Sequence, residues 1–488
     1  MAKFALPSGQ APFWRNQHSL MSEQTNTSPM TLGTRSVGRL LVQYSVPAII
    51  ASLATSLYNI IDSIFIGRGV GAMAIAGLAI TFPLMNLLVA FCTLIAVGGA
   101  TVSSIFLGQK NLERATDVVN NVAALCLIHA VVIGGLTLLF LDEILTFFGA
   151  TAETIVYARE FMQVILLGTP LVYMFIGLNN VMRATGYPGK AMVTALISVA
   201  VNLVFAPVFI FALDWGIRGA AWATVLGQAA SFVWVVSHFL ARKSFVHLDW
   251  KRRWLSGAIM KRVYAIGLSP FLMNVTACVV VVFINKALLD YGGSDGNLAV
   301  GAYGIINRTT MFFVMIVFGV TQGMQPILGF NYGAGQWDRV RHTLNIGIWL
   351  GVAITTLGWI VCEFFPTAVS SLFTVDPVLI GIADRGARIF FIFYPLVGCQ
   401  IVIQNFFQSV GMPKLSIFLS LTRQLIFLLP FLMIFPRYWG IDGVWASMSA
   451  SDAIAFIFAV VTLVIVNRRQ SRRLNINITR PTSSQNND

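Results

Sequence analysis

Four polar side chains in the first apolar segment fall at a spacing that chemistry can use. Thr55, Tyr58, Asn59 and Asp62 occupy i, i+3, i+4 and i+7, so a helix presents them as one stripe. A charge at bilayer depth costs on the order of 2.5–3.5 kcal/mol on insertion scales, so this stripe is expected to face other helices. Pro47, earlier in the same segment, supplies a bend point. Thr194, Ser198 and Asn202 make a second stripe in the fifth segment, and Thr224 lies in the sixth. Counted inward at about 1.5 Å per residue, Asp62, Asn202 and Thr224 share the outer half of the bilayer and can converge. A carboxylate, an amide and a hydroxyl offer oxygen ligands to a hard monovalent cation. Burial also favours the neutral form of a carboxyl, so the same group can carry a proton. The remaining reading is a structural hydrogen-bond cluster.

The second half carries a different set, Arg308, Arg423 and Asp452, each near the middle of an apolar segment. An unpaired charge there is expensive, so an Arg–Asp pair is expected, either structural or part of a cavity or gate. The run Thr309–Phe318, with Met311 and Met315, has the soft, adaptable side chains that suit a promiscuous apolar pocket. Tyr58, Tyr173, Asn274, Tyr303, Gln322 and Gln325 are further candidates for a substrate cavity. His129, alone in an apolar stretch, reads as a packing histidine. The five cysteines lie in or beside apolar runs without metal-ligand spacing, so neither disulfides nor a metal site are expected.

The elements that must hold these groups follow from composition. Of 488 residues, 57% are hydrophobic and 10% charged, against roughly 25% charged in soluble domains. The expected class is therefore an all-α integral membrane protein. Twelve transmembrane helices are expected at about 41–66, 75–106, 117–140, 156–183, 190–213, 219–241, 260–288, 299–329, 343–363, 386–410, 415–435 and 443–467. The net charge of +13 collects in loops on one side rather than in a nucleic-acid groove, which places both termini in the cytoplasm. No cofactor is expected, and no nucleic acid; membrane lipids are the surroundings and a monomer is the expected state. No GxSG, HExxH or GxGD signature supports an intramembrane enzyme.

The chain also repeats itself. At an offset of about 225 positions, Gly98, Gly108, Arg114, Pro170, Asn180, Gly186 and Pro188 fall on Gly323, Gly333, Arg339, Pro395, Asn405, Gly411 and Pro413. Six spans per repeat insert the same way up, so two six-helix lobes should be related by a pseudo-two-fold along the membrane normal. The expected division is a flexible cytoplasmic segment 1–37, an N-terminal lobe 38–241, a cytoplasmic linker 242–259, a C-terminal lobe 260–467 and a flexible tail 468–488. Opposite Asp62, Asn202 and Thr224 the second half has Asn285, Leu425 and Ser447. The fold was repeated and the polar set was not, which argues that the set is more than scaffolding.

Several segments resemble a known family. VPAIIASLATSLYNIIDSIFIGRG, LGQKNLERA and its echo QPILGFNYGAGQWDRV, and the turns RATGYPGK and SVGMPK, are similar to the MATE (multidrug and toxic compound extrusion) transporters, in the bacterial MepA-like branch. The resemblance runs from about 38 to 467. It implies a secondary antiporter of the bacterial inner membrane that exports amphipathic organic cations against H+ or Na+. It further implies that Asp62 is the essential first-helix acid, Pro47 the bend, and Asn180, Asn202 and Thr224 members of a cation site. Where many members have a second acid in helix five, this chain has Ala206, and Asn274 matches a seventh-helix acid of some members. The coupling ion therefore stays open. A lipid-linked glycan flippase of the same wider superfamily is the alternative, and it would need a strongly basic inter-lobe cavity.

Overall fold

The structure is a computed structural model. It describes residues 30–241, 244–252 and 254–478, the side chains of 72 and 469–478 excepted. Of the segments expected to be flexible, 1–29 and 479–488 lie outside the described residues, as do Arg242, Lys243 and Arg253 of the linker. Residues expected to be loose at either edge are ordered. Thr31–Thr34 form a helical turn with Leu32 fully buried, and the last helix runs on to Ile478.

Every regular element among the described residues is helical. The first lobe contains α1 (Val37–Gly69), α2 (Ala72–Gly108), α3 (Leu112–Leu139), α4 (Thr154–Ala184), α5 (Pro188–Pro207) and α6 (Gly216–Leu240). The second contains α7 (Gly257–Tyr291), α8 (Gly296–Gly333), α9 (Trp337–Phe364) and α10, built from Pro377–Phe391 and Tyr394–Ser409. The chain then runs helically from Pro413 to Ile478, with a break at Gly440 (φ 56°, ψ −133°) that divides α11 from α12. Among the described residues, ten helices are long and apolar enough to cross a membrane by themselves. Dividing the last at Gly440 and joining the bent halves of α10 makes twelve spans.

Two departures from the expected spans are instructive. The tenth was expected as one helix over 386–410, but it bends by 54° between Phe391 and Tyr394. Its first half continues past Arg385 and Arg388 because Arg385 pairs with Asp442 and Asp376 caps the start, accepting from Val378 N at 2.9 Å. The loop expected between α11 and α12 shrinks to the turn at Gly440. Its repeat equivalent, Gly216 (φ 54°), starts α6 in the same left-handed conformation that favours glycine.

The repeat is visible in the packing. α1 packs on α8 and α7 packs on α2, two contacts that exchange under the duplication. The ends of α2 and α8 cross where a Cβ on Gly108 would overlap the Phe330 carbonyl and one on Gly333 would overlap that of Ile105. Phe330 and Ile105 are themselves repeat equivalents. Close backbone approach through small residues is what holds helices together where lipid removes the hydrophobic drive. Polar bonds reinforce it: Ser45 Oγ donates to Val320 O (3.3 Å), Gln325 Nε2 to Thr101 Oγ1 (2.8 Å) and Asn331 Nδ2 to Leu32 O (3.0 Å). Among the described residues, no hydrogen bond between lobes lies further from the linker than Ser56–Met315 (2.6 Å) and Thr93–Asn274 (3.5 Å). The lobes are fastened in their linker-side halves only. The apolar core divides accordingly: one cluster runs through the interface and the second lobe, and a separate one fills the far half of the first lobe.

Gly108→Leu and Gly333→Leu are each expected to lower the melting temperature of the purified protein by several degrees, since overpacking a tight core costs about 1–3 kcal/mol. Gly135→Ala, where an added Cβ meets nothing within 4 Å, should leave it unchanged.

Candidate functional site

The first lobe's polar cluster is positioned by the α5–α6 hairpin. These antiparallel helices meet in register: Ser231 Oγ donates to Thr194 O (2.8 Å), Gly227 lies against the Ser198 carbonyl, and Asn202 Nδ2 donates to Thr224 Oγ1 (3.0 Å). The stripe Thr194–Ser198–Asn202 is thus the face that α5 turns to α6. Pro207 and a π turn at Val208–Ala212 end α5 just beyond Asn202.

α1 packs on α5 and closes the cluster. Asp62 is 7% exposed, and the Tyr58 hydroxyl faces Thr224 within the field of the Asp62 carboxyl. Thr224 thus meets both Asn202 and Tyr58, and Asp62 lies one turn beyond Tyr58 on α1. Asn59 and Thr55, from the same stripe, are exposed instead. Asp62 Oδ1 and Asn202 Oδ1 are both buried without any donor. One N–H of the Asn202 amide goes to Thr224, and among the described residues no Lys or Arg pairs with Asp62. Two acceptor oxygens left without donors in a buried site suit a bound cation or a proton on the carboxyl.

Asn180 does not join this cluster. It sits near the linker-side end of α4, whereas Asp62 is near the opposite end of α1. There Asn180 Nδ2 donates to Ile176 O (2.9 Å) and its Oδ1 accepts from Arg183 (2.5 Å). Arg183 also donates to Gln322 Oε1 across the lobes at 2.6 Å. Gln322 and Gln325 are therefore inter-lobe ties rather than free cavity walls. Tyr173 is 1% exposed and donates to Leu88 O (2.7 Å), so it is core. Met315 accepts from Ser56 at the edge of the fastened region. Pro47 lies within a continuous α1. His129 packs as expected, with Leu125 O at 3.0 Å and the Tyr264 hydroxyl at 3.4 Å.

The second lobe holds a cavity of about 310 Å³ lined by Asn274, Tyr303 and Met311 among many apolar side chains. Arg423 Nε and Asp452 Oδ1 pair on its wall at 2.6 Å, and Asp452 is buried. Arg308 departs from the expected trio: it is exposed, does not line the cavity and joins no ion pair among the described residues. Sequence reasoning missed Gln424 and Ser420, whose side-chain oxygens face this cavity, buried and without partners. Their signal was weak, because single neutral polar residues are common in apolar helices. It also missed Arg183, whose position three residues after Asn180 on one helix face was the available clue.

A family model described as MatE matches residues 47–208 and again 265–434, once in each lobe. A "Multidrug export protein MepA" of Staphylococcus haemolyticus (strain JCSC1435) is 26% identical over 434 residues, 89% of this chain and 95% of the relative. A solved structure of MATE in the bent conformation superimposes with a TM-score of 0.86 at 23% identity, covering 93% of this chain and 100% of that one. A structure of the MATE multidrug transporter DinF-BH in complex with rhodamine 6G is 35% identical, with a TM-score of 0.82 over 88% of this chain and 96% of that one.

Arg423→Met alone is expected to destabilise the protein strongly, by about 3–5 kcal/mol, because it strands a buried carboxylate. Arg423→Met with Asp452→Leu should recover most of that loss, read as melting temperature in detergent.

Proposed function

Because the chain belongs to the MATE family, we propose that it is a secondary antiporter that exports amphipathic organic cations in exchange for H+ or Na+. The cation site of this reading is Asp62 with Asn202 and Thr224. The observation that carries it is the pair of buried, donor-less oxygens on Asp62 and Asn202. A cation or proton arriving there would remove an uncompensated charge and satisfy both acceptors at once. Asn180 is set aside as a ligand, since its side chain is committed to Arg183.

The moving bodies are the lobes 38–241 and 260–467, joined by the linker 242–259. Multidrug export proteins of Staphylococcus are among the relatives of this chain. The basic linker side is assigned to the cytoplasm of the inner membrane, with both termini there. The lobes meet on that side, so the present conformation is read as the one open toward the outside. Opening to the cytoplasm requires the ties Arg183–Gln322 and Gln325–Thr101 to part and the α2–α8 crossing to separate. Coupling in this scheme is a difference in affinity. Cation bound at Asp62 stabilises the outward-open arrangement and lowers the affinity for the organic cation, and the reverse holds by linkage. Rhodamine 6G, the ligand of one similar structure, fits the amphipathic cation class. The C-lobe cavity, with Asn274, Tyr303 and Met311 on its wall, is the second surface a flat apolar cation can use. The flippase alternative draws no support from the arginines it would need, since Arg423 is neutralised by Asp452 and Arg308 lies off the cavity.

Asp62→Asn is expected to insert normally and to abolish rhodamine efflux. The test is transport in proteoliposomes with Na+ and pH gradients imposed separately. Wild-type efflux by the variant under both gradients would remove Asp62 from the mechanism. Efflux by the wild type under one gradient alone names the coupling ion.

A further inference from the structure

A further cavity lies away from the Asp62 cluster. A space of about 580 Å³ opens at the linker-side end of the first lobe. It lies between Gln43 and Pro47 of α1, the turn Gly186–Tyr187, Lys190 of α5, His238 of α6 and Ser244 of the linker. Its mouth is accessible, since Gly189, Lys190 and Ala241 are exposed, whereas Tyr187 and His238 are buried in its wall.

The chemistry of that wall is one-sided. No Asp or Glu lines it. Lys190 forms no ion pair among the described residues. Its ammonium instead donates to His238 Nδ1 (3.3 Å) and lies 5.1 Å from the centroid of the Tyr187 ring. Because His238 Nδ1 accepts, its Nε2 carries the hydrogen and points to Ser244 Oγ at 3.4 Å. Gln43 reaches toward a second cation, accepting from Arg35 at 3.5 Å, which leaves its amide N–H groups available. Burial pushes the Tyr187 hydroxyl up, so the phenol stays a neutral donor. The cavity therefore offers a cation and several neutral donors, and among the described residues no carboxylate answers them.

The duplication shows that the fold does not require these groups. The equivalent turn keeps its left-handed glycine, Gly411, and its backbone bond, Met412 N to Phe407 O at 2.8 Å against Tyr187 N to Met182 O at 3.2 Å. In it Met412 and Leu415 replace Tyr187 and Lys190. The polar lining is an addition to a turn that folds without it. The depth suits a headgroup as well. Six residues after Ser244 the linker turns out Trp250, 75% exposed, its ring 4.9 Å from that of Trp254 and tilted to it by 35°, a pair of the kind that marks a membrane–water interface.

We propose that this cavity is a phosphate-binding site, filled by the headgroup of an anionic phospholipid or by a free phosphate, with Lys190 as its charged contact. Basic pockets between helices at the cytoplasmic interface are how membrane proteins hold such headgroups. The site has a mechanical consequence. Its walls belong to α1, α5 and α6, the three helices whose opposite ends carry Asp62, Asn202 and Thr224. An occupant braced against Pro47 and Lys190 ties α1 to the α5–α6 hairpin.

The test is binding to the purified full chain in neutral detergent, with two probes: phosphatidylglycerol, counted by native mass spectrometry, and inorganic phosphate. Phosphatidylcholine is the control. Retention of phosphatidylglycerol over phosphatidylcholine, weakened about tenfold or more by Lys190→Gln and kept by Lys190→Arg, is the expected result for a lipid headgroup. The same pattern with inorganic phosphate alone supports the site with a soluble ligand. Gln43→Leu reads the site from α1 and should weaken the same probe. Equal binding of both probes by the wild type, Lys190→Gln and Gln43→Leu overturns the proposal, whatever the outcome of transport assays.

Discussion

A buried carboxyl that no cation among the described residues pairs with is the constraint around which the first lobe is arranged. Ionised, Asp62 would be an uncompensated charge among apolar helices, a state that proteins avoid by neutralisation or by pairing. The neighbours do not relieve it: Asn202 gives its amide to Thr224, and the core on either side is apolar. On the proposed reading a proton or a monovalent cation relieves it, and whatever settles on Asp62 then shifts the balance between conformations.

The second lobe meets the same problem differently. Its equivalents of the cluster are Asn285, Leu425 and Ser447, and its buried acid, Asp452, is held by Arg423. There a fixed internal cation does the neutralising. In the proposed reading the duplicated fold therefore separates two duties: one lobe keeps a carboxyl available for exchange, while the other encloses an apolar cavity with a neutralised ion pair on its wall. Both are joined by backbone crossings that need glycine, and the linker-side position of those crossings sets which face is closed.

The sequence made most of this fold legible, for identifiable reasons. Apolar runs of bilayer length mark spans, and a repeat offset of about 225 marks lobes. The convergence of Asp62, Asn202 and Thr224 followed from counting depth along helices, which needs no knowledge of neighbours. What failed needed neighbours. Asn180 is drawn away by Arg183, Tyr173 by the Leu88 carbonyl, and Arg308 is turned out of the lobe, none of which spacing along one helix reveals. The early start of α10 at Pro377 was hidden because Arg385 and Arg388 look like the edge of a span, while Asp442, the partner of Arg385, lies far along the chain.

The most direct measurement of the central claim is cation release on ligand binding. Rhodamine 6G is added to the purified protein in weakly buffered, low-salt detergent solution while released H+ and Na+ are followed. Wild-type protein should release about one monovalent cation per dye molecule bound, as expected when one buried carboxyl exchanges its occupant, and Asp62→Asn should bind without release. Binding to the wild type with no release, or equal release from the variant, would contradict the account.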